Sequence, residues 1–131
     1  MILVYIGYVR PLVEYAVPVW HPGLTKLQSV QIERIQKRAL RLILGVQYVS
    51  YDYALKITNL QSLELRRCEL CLRFAKTLQS SHEFSDWLPV RRPARYSSSL
   101  RSTSTYQAIK CRTERYKRSP IPFLVDLLNS Q

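Results

Sequence analysis

Glycine is scarce in this chain, with three in 131 residues. Too few stand together to form the loop of backbone amides that cradles phosphate in nucleotide-binding motifs. Cysteine is scarce and odd in number (Cys68, Cys71 and Cys111), so no complete disulfide framework follows and a reducing compartment is the simpler setting. Acidic residues number nine against twenty Lys and Arg, and they are scattered. Two-metal phosphoryl transfer needs carboxylates that converge on the ions, and Tyr51-Asp52-Tyr53 is not such a pair. Neither His21 nor His82 stands beside a nucleophile in an identifiable motif. These shortages exclude the common routes to catalysis.

What is present is positive charge. The formal net charge is +11, and hydrophobic residues make up 47% of the chain. The second figure argues for a folded domain of ordinary size rather than compositional disorder. The first speaks of partners, with nucleic acid the leading candidate and an anionic membrane surface the second. Residues 1–20 are apolar, but they lack a basic leader and are interrupted by Arg10, Pro11 and Glu14. They fit neither a secretory signal nor a bilayer span. An intracellular setting, nuclear or cytoplasmic, is expected.

Periodicity predicts a mostly α-helical fold. Ile2, Ile6, Val9, Val13, Ala16 and Trp20 recur at helical steps. Pro11 predicts a kink or a fresh start, Pro18 the end of the run, and His21-Pro22-Gly23 a turn. The beginning of this element is apolar all round, which calls for burial on every side. Cover from a protein partner or from a missing N-terminal domain is expected, Met1 then beginning a fragment; the alternative is the central helix of a small bundle. Thr25 and Gly45 frame a second helix, with Ile32, Ile35, Ala39, Leu42 and Ile43 predicted inward. Arg34, Lys37, Arg38 and Arg41 fall opposite. Leu27 and Val30, near the start of the basic side, are expected against the preceding turn. Ser50 predicts a short helix from Tyr51 to Ile57. A third long helix is predicted over 62–78, with Leu63, Leu70, Cys71, Phe74 and Leu78 buried.

After Pro89 the composition changes. Residues 90–118 read as an extended basic arm, separating a helical domain over 1–89 from a short docking helix over 119–131 that starts at Ser119-Pro120. In the arm nine Lys and Arg stand against Glu114 alone, interleaved with Tyr96, Tyr106 and Tyr116. That mixture suits phosphate contact and base stacking, although for Tyr116 packing onto the core is the expectation. Arg34, Lys37, Arg38 and Arg41, with Arg66, Arg67, Arg112, Arg115, Lys117 and Arg118, are the candidate nucleic-acid contacts. Like charges three or four apart on a helix cost about 0.2–0.5 kcal/mol per pair, a cost offset if phosphates face them. Only Glu33, four before Lys37, gives local relief. The set Cys68, Cys71, His82 and Cys111 has the composition of a zinc site. Its close pair lies in a strongly helical stretch, however, and buried helix cysteines with no metal are expected. No cofactor is implied. The arm contains no well-formed amphipathic helix for membrane association.

Several segments together resemble the thumb and post-thumb region of reverse transcriptases of LINE-like, non-LTR retrotransposons of the jockey-like group. They are RPLVEYAVPVWHPGL at Arg10 to Leu24, IERIQKRA at Ile32 to Ala39, LILG at Leu42 to Gly45, SLELRR at Ser62 to Arg67, RTERYKRSPIP at Arg112 to Pro122 and LLN at Leu127 to Asn129. The resemblance implies a thumb-like helical bundle that holds template–primer duplex or element RNA through its backbone. The missing aspartates imply that catalysis belongs to a palm domain, and that this chain contributes positioning to target-primed reverse transcription. The residues alone leave a free-standing helical module, docking a protein through its apolar first helix, as the alternative.

Overall fold

The computed structural model describes residues 1–92 and 104–130. The described chain is mostly α-helical, and its only strand-like pairing is an isolated bridge between Arg91 and Tyr106. Two compact units are formed: Met1–Val17 with Leu24–Cys68, and Pro18–Gly23 with Glu69–Gln131.

In the first unit the opening helix, α1, runs over 2–14. It starts as Ile2–Val4, widens into a π-helical stretch at Tyr5–Val9, and returns to α geometry at Arg10–Glu14. Pro11 explains the widening: it has no N–H to offer and its ring would crowd the carbonyl of Gly7, so the turn ahead of it opens while the helix continues. The chain breaks at Tyr15, where ψ is 129°, and at Ala16, where φ is 50°. That is earlier than the expected stop at Pro18, which instead lies in the first turn of a new short helix, α2 (Val17–Trp20). A proline is tolerated there because the first amides of a helix have no partner within it. By length and composition alone 2–23 resembles a membrane-crossing helix. The break leaves about 20 Å of continuous helix, against roughly 30 Å of bilayer hydrocarbon.

Local sequence signals set α3 (Lys26–Leu44) and α4 (Tyr51–Thr58). Thr25 accepts the Gln28 amide while the Gln28 side chain reaches back to Thr25, a reciprocal cap. Gly45, with φ 52°, ends the helix. Ser50 caps α4, and Asn59 ends it in the left-handed conformation. Beyond these signals α3 is turned relative to expectation. Gln36 and Leu40 are its buried residues, whereas Leu42 is 71% exposed and Ile35, Leu27 and Val30 are also exposed. Hydrogen bonds at both ends of its amide let Gln36 occupy the core: the Tyr5 hydroxyl donates to its Oε1 at 2.7 Å, and its Nε2 donates to the Gln61 carbonyl at 2.8 Å.

The helix α5 (Leu63–Ser80) contributes its beginning to the first unit and its remainder to the second. Its buried residues are Leu63, Arg67, Cys71, Ala75 and Leu78, a stripe at helical spacing. Leu63, Cys71 and Leu78 agree with expectation; Phe74 is exposed in contrast to it, as is Cys68. The second unit continues through a 3-10 turn at Ser85–Trp87, a short helix α6 (Glu114–Lys117) and the final helix α7 (Pro120–Asn129). Pro122, Leu124, Val125 and Leu128 bury one face of α7. Phe123 sits partly exposed, edge-on to His21 at 5.8 Å. Asn129 holds the chain entering α6 by accepting the Tyr106 amide at 2.9 Å and donating to its carbonyl at 3.2 Å.

Candidate nucleic-acid interface

Five cations lie on α3 with one carboxylate, Glu33. Arg34, Arg38 and Arg41 are exposed on the side away from Gln36 and Leu40. Lys37, half-buried, rests over the Tyr51 ring at 4.9 Å, and Arg41 lies over the Tyr48 ring at 5.2 Å. Cation–π contact restrains such side chains without neutralising them.

Glu33 forms no ion pair with them. Its Oε1 accepts the Leu63 amide at 3.0 Å and its Oε2 the Glu64 amide at 3.2 Å. The Tyr51 hydroxyl also donates to Oε1, and burial together with that bond pushes the Tyr51 hydroxyl pKa well up. The carboxylate therefore serves the N-terminus of α5, where unpaired amides and the helix dipole favour negative charge. Sequence spacing assigns it instead to Lys37. Among the described residues no ion pair forms to Arg34, Arg38 or Arg41. Exposed leucines, Leu27 and Leu42, flank the same side.

Arg66 and Arg67 are placed differently from the exposed contacts expected of them. The Arg66 guanidinium grips Glu14 with two bonds, Nε to Oε1 and Nη2 to Oε2, each 3.0 Å. Glu14 also meets Arg10 at 3.5 Å. Arg67 is 1% exposed, and its Nη2 donates to Ser29 Oγ at 2.6 Å while Nε and Nη1 are without partners. Both guanidiniums are used inside the first unit, which takes them out of the exposed set.

In the second unit Arg112, Arg115, Lys117 and Arg118 are all exposed. Arg95, Arg101 and Tyr96 lie outside the described residues. Tyr106 is buried beneath Arg91, whose guanidinium is 5.9 Å from the ring. Tyr116, in contrast, is 49% exposed, so the expected packing onto the core is not what it does. Trp87, which carries no functional expectation from sequence, is 55% exposed and meets Phe84 in a T-shaped pair at 5.0 Å. Among the described residues no group of three or more His, Cys, Asp or Glu converges. Comparison with protein-family models, curated proteins and solved structures finds no match for the chain.

Proposed function

We propose that this chain is a non-catalytic nucleic-acid-holding element that grips a duplex through its phosphates. The observation carrying this reading is the diversion of Glu33 to α5, which leaves Arg34, Arg38 and Arg41 side by side without an ion-paired carboxylate. A row of cations costs stability unless a polyanion meets it, and each phosphate neutralised releases counterions. Nothing in the row favours base-specific readout, so the ligand is RNA, DNA or hybrid duplex bound by its backbone. Placed with the retrotransposon resemblance, the role is to position template–primer or element RNA for a mobile-element RNA-directed DNA polymerase, in the nucleus or cytoplasm. The test is a duplex titration at two salt concentrations. The reading requires steep salt dependence, carried by the α3 arginines; duplex binding indifferent to salt overturns it.

A second reading rests on a different observation. Val4, Tyr8 and Leu12 are exposed on α1, with Leu3 beside them, and their four-residue spacing gathers the three into one apolar strip. A protein surface docked there is the alternative function, and co-purification that depends on Tyr8 and Leu12 tests it.

A further inference from the structure

The second unit contains two neighbouring hollows that share α6. One, of about 510 Å³, is apolar and open, lined among others by Phe74, Trp87, Tyr116, Ser119 and Ile121. The other, of about 560 Å³, is lined by Gly23, Glu114, Arg115 and Arg118. Tyr116 lines the first, whereas Glu114 and Arg115 before it and Arg118 two residues after it line the second. Three aromatic rings in one hollow, each more than a third exposed, are not core packing. An aromatic wall offers a face on which any base can stack, and a cationic hollow one step along offers charge for the adjoining phosphates. Glu114 shares the cationic hollow, but Arg115, Arg118 and the nearby Lys117 outnumber it.

We propose that this pair of hollows captures single-stranded nucleic acid, an unstacked base lying against Trp87 and Tyr116 while Arg115 and Arg118 hold the neighbouring phosphates. Charge complementarity selects this occupant over an apolar peptide, since a peptide helix gains little from arginines at the rim, whereas a nucleotide matches both hollows. Phe84 braces the indole edge-on, which limits the freedom lost when a base arrives. No residue of α3 takes part, so this site and the duplex grip stand or fall separately.

The experiment uses the full chain and fluorescein-labelled oligothymidylate of about 12 nucleotides, within the span such sites cover, beside an abasic strand of equal length. Trp87→Leu is expected to weaken thymidylate binding roughly tenfold, Trp87→Phe to restore most of it, and neither to alter abasic binding. The α3 variant lacking Arg34, Arg38 and Arg41 should keep the full Trp87-dependent ratio. Trp87 is exposed enough for its variants to fold, which far-UV circular dichroism checks, and Tyr116→Leu provides an independent second variant. Equal thymidylate affinity for wild type and both leucine variants overturns the proposal, as does abasic binding equal to thymidylate binding. Self-association dispersed by Trp87→Leu with strand binding untouched also overturns it, and assigns the groove to a second copy.

Discussion

Glu33 accepts the main-chain N–H of Leu63 at 3.0 Å, so the one carboxylate of α3 closes the start of α5. The bond joins two elements thirty residues apart in the chain. It also turns the carboxylate that local spacing would pair with Lys37 towards α5, and Lys37 rests over the Tyr51 ring instead.

Removing that carboxylate should cost stability without weakening nucleic-acid binding. Glu33→Ala leaves two helix amides and the Tyr51 hydroxyl without their acceptor, and a loss of about 2–3 kcal/mol in urea unfolding is expected. Glu33→Gln, keeping an acceptor without the charge, should fall between. Duplex affinity of either variant should equal or slightly exceed wild type. A marked drop would mean that the α3 arginines depend on Glu33 for their placement.

The arginines should divide into two functional classes. Replacing Arg34, Arg38 and Arg41 together with Gln is expected to reduce duplex affinity and to flatten the slope of log affinity against log salt by about 2–3, at roughly 0.9 for each phosphate no longer neutralised. Arg66→Gln should leave that slope unchanged and instead destabilise the fold by about 1 kcal/mol, since its guanidinium is bound to Glu14 by two bonds at a partly exposed site. A double-mutant cycle with Glu14→Gln measures the coupling directly.

Arg67 predicts a gain. A guanidinium 1% exposed, with two nitrogens unpaired and one bond to Ser29, bears a desolvation cost that its partners do not repay. Arg67→Met fills similar volume without charge and should raise the thermal midpoint. Arg67→Ala, which opens a cavity, should lower it. A drop in both variants would show that the single bond to Ser29 outweighs the burial cost.

Alkaline pH should destabilise the fold through its buried tyrosines. Burial pushes the Tyr5 hydroxyl up to about 12 from an ordinary value of 10.0. Above about pH 10 the unfolded chain releases this proton while the folded chain retains it, so the unfolded state binds fewer protons and stability falls as pH rises. Tyr5's contribution, on the order of 2 kcal/mol, is complete below pH 10 and disappears through about pH 12. Tyr51 is raised as well, by burial and its bond to Glu33, and acts in the same direction. Urea midpoints measured across this window should decline less steeply in Tyr5→Phe than in wild type.

Much of the helical framework is legible in the residues because its signals are short-range. Thr25 reaches Gln28 and Ser50 reaches Tyr53, each three residues on, and Gly45 needs only its own positive φ. The π-helical accommodation of Pro11 and the break at Ala16 are less accessible. Both compete with alternatives that a proline permits equally well, and the strained Ala16 has no local signature.

The candidate site is half legible. Arg34, Arg38 and Arg41 emerge from spacing alone, whereas Arg66 and Arg67 look equivalent to them and are not. Trp87 escapes notice because a tryptophan in a loop carries no period. Tyr116 reads as a core residue because a large aromatic ring gains by burial. Only the fold shows both lining one groove.

The sequence by itself determined that the chain is helical, where most helices begin and end, and that positive charge exceeds negative. Each depends on composition or on neighbours within about four residues. Tertiary structure alone decided which face of α3 turns inward, that a glutamine could occupy that core, and which arginines are left exposed. Burial and pairing depend on groups brought together from distant parts of the chain, such as Tyr5 with Gln36 and Glu14 with Arg66, and no local pattern encodes those meetings.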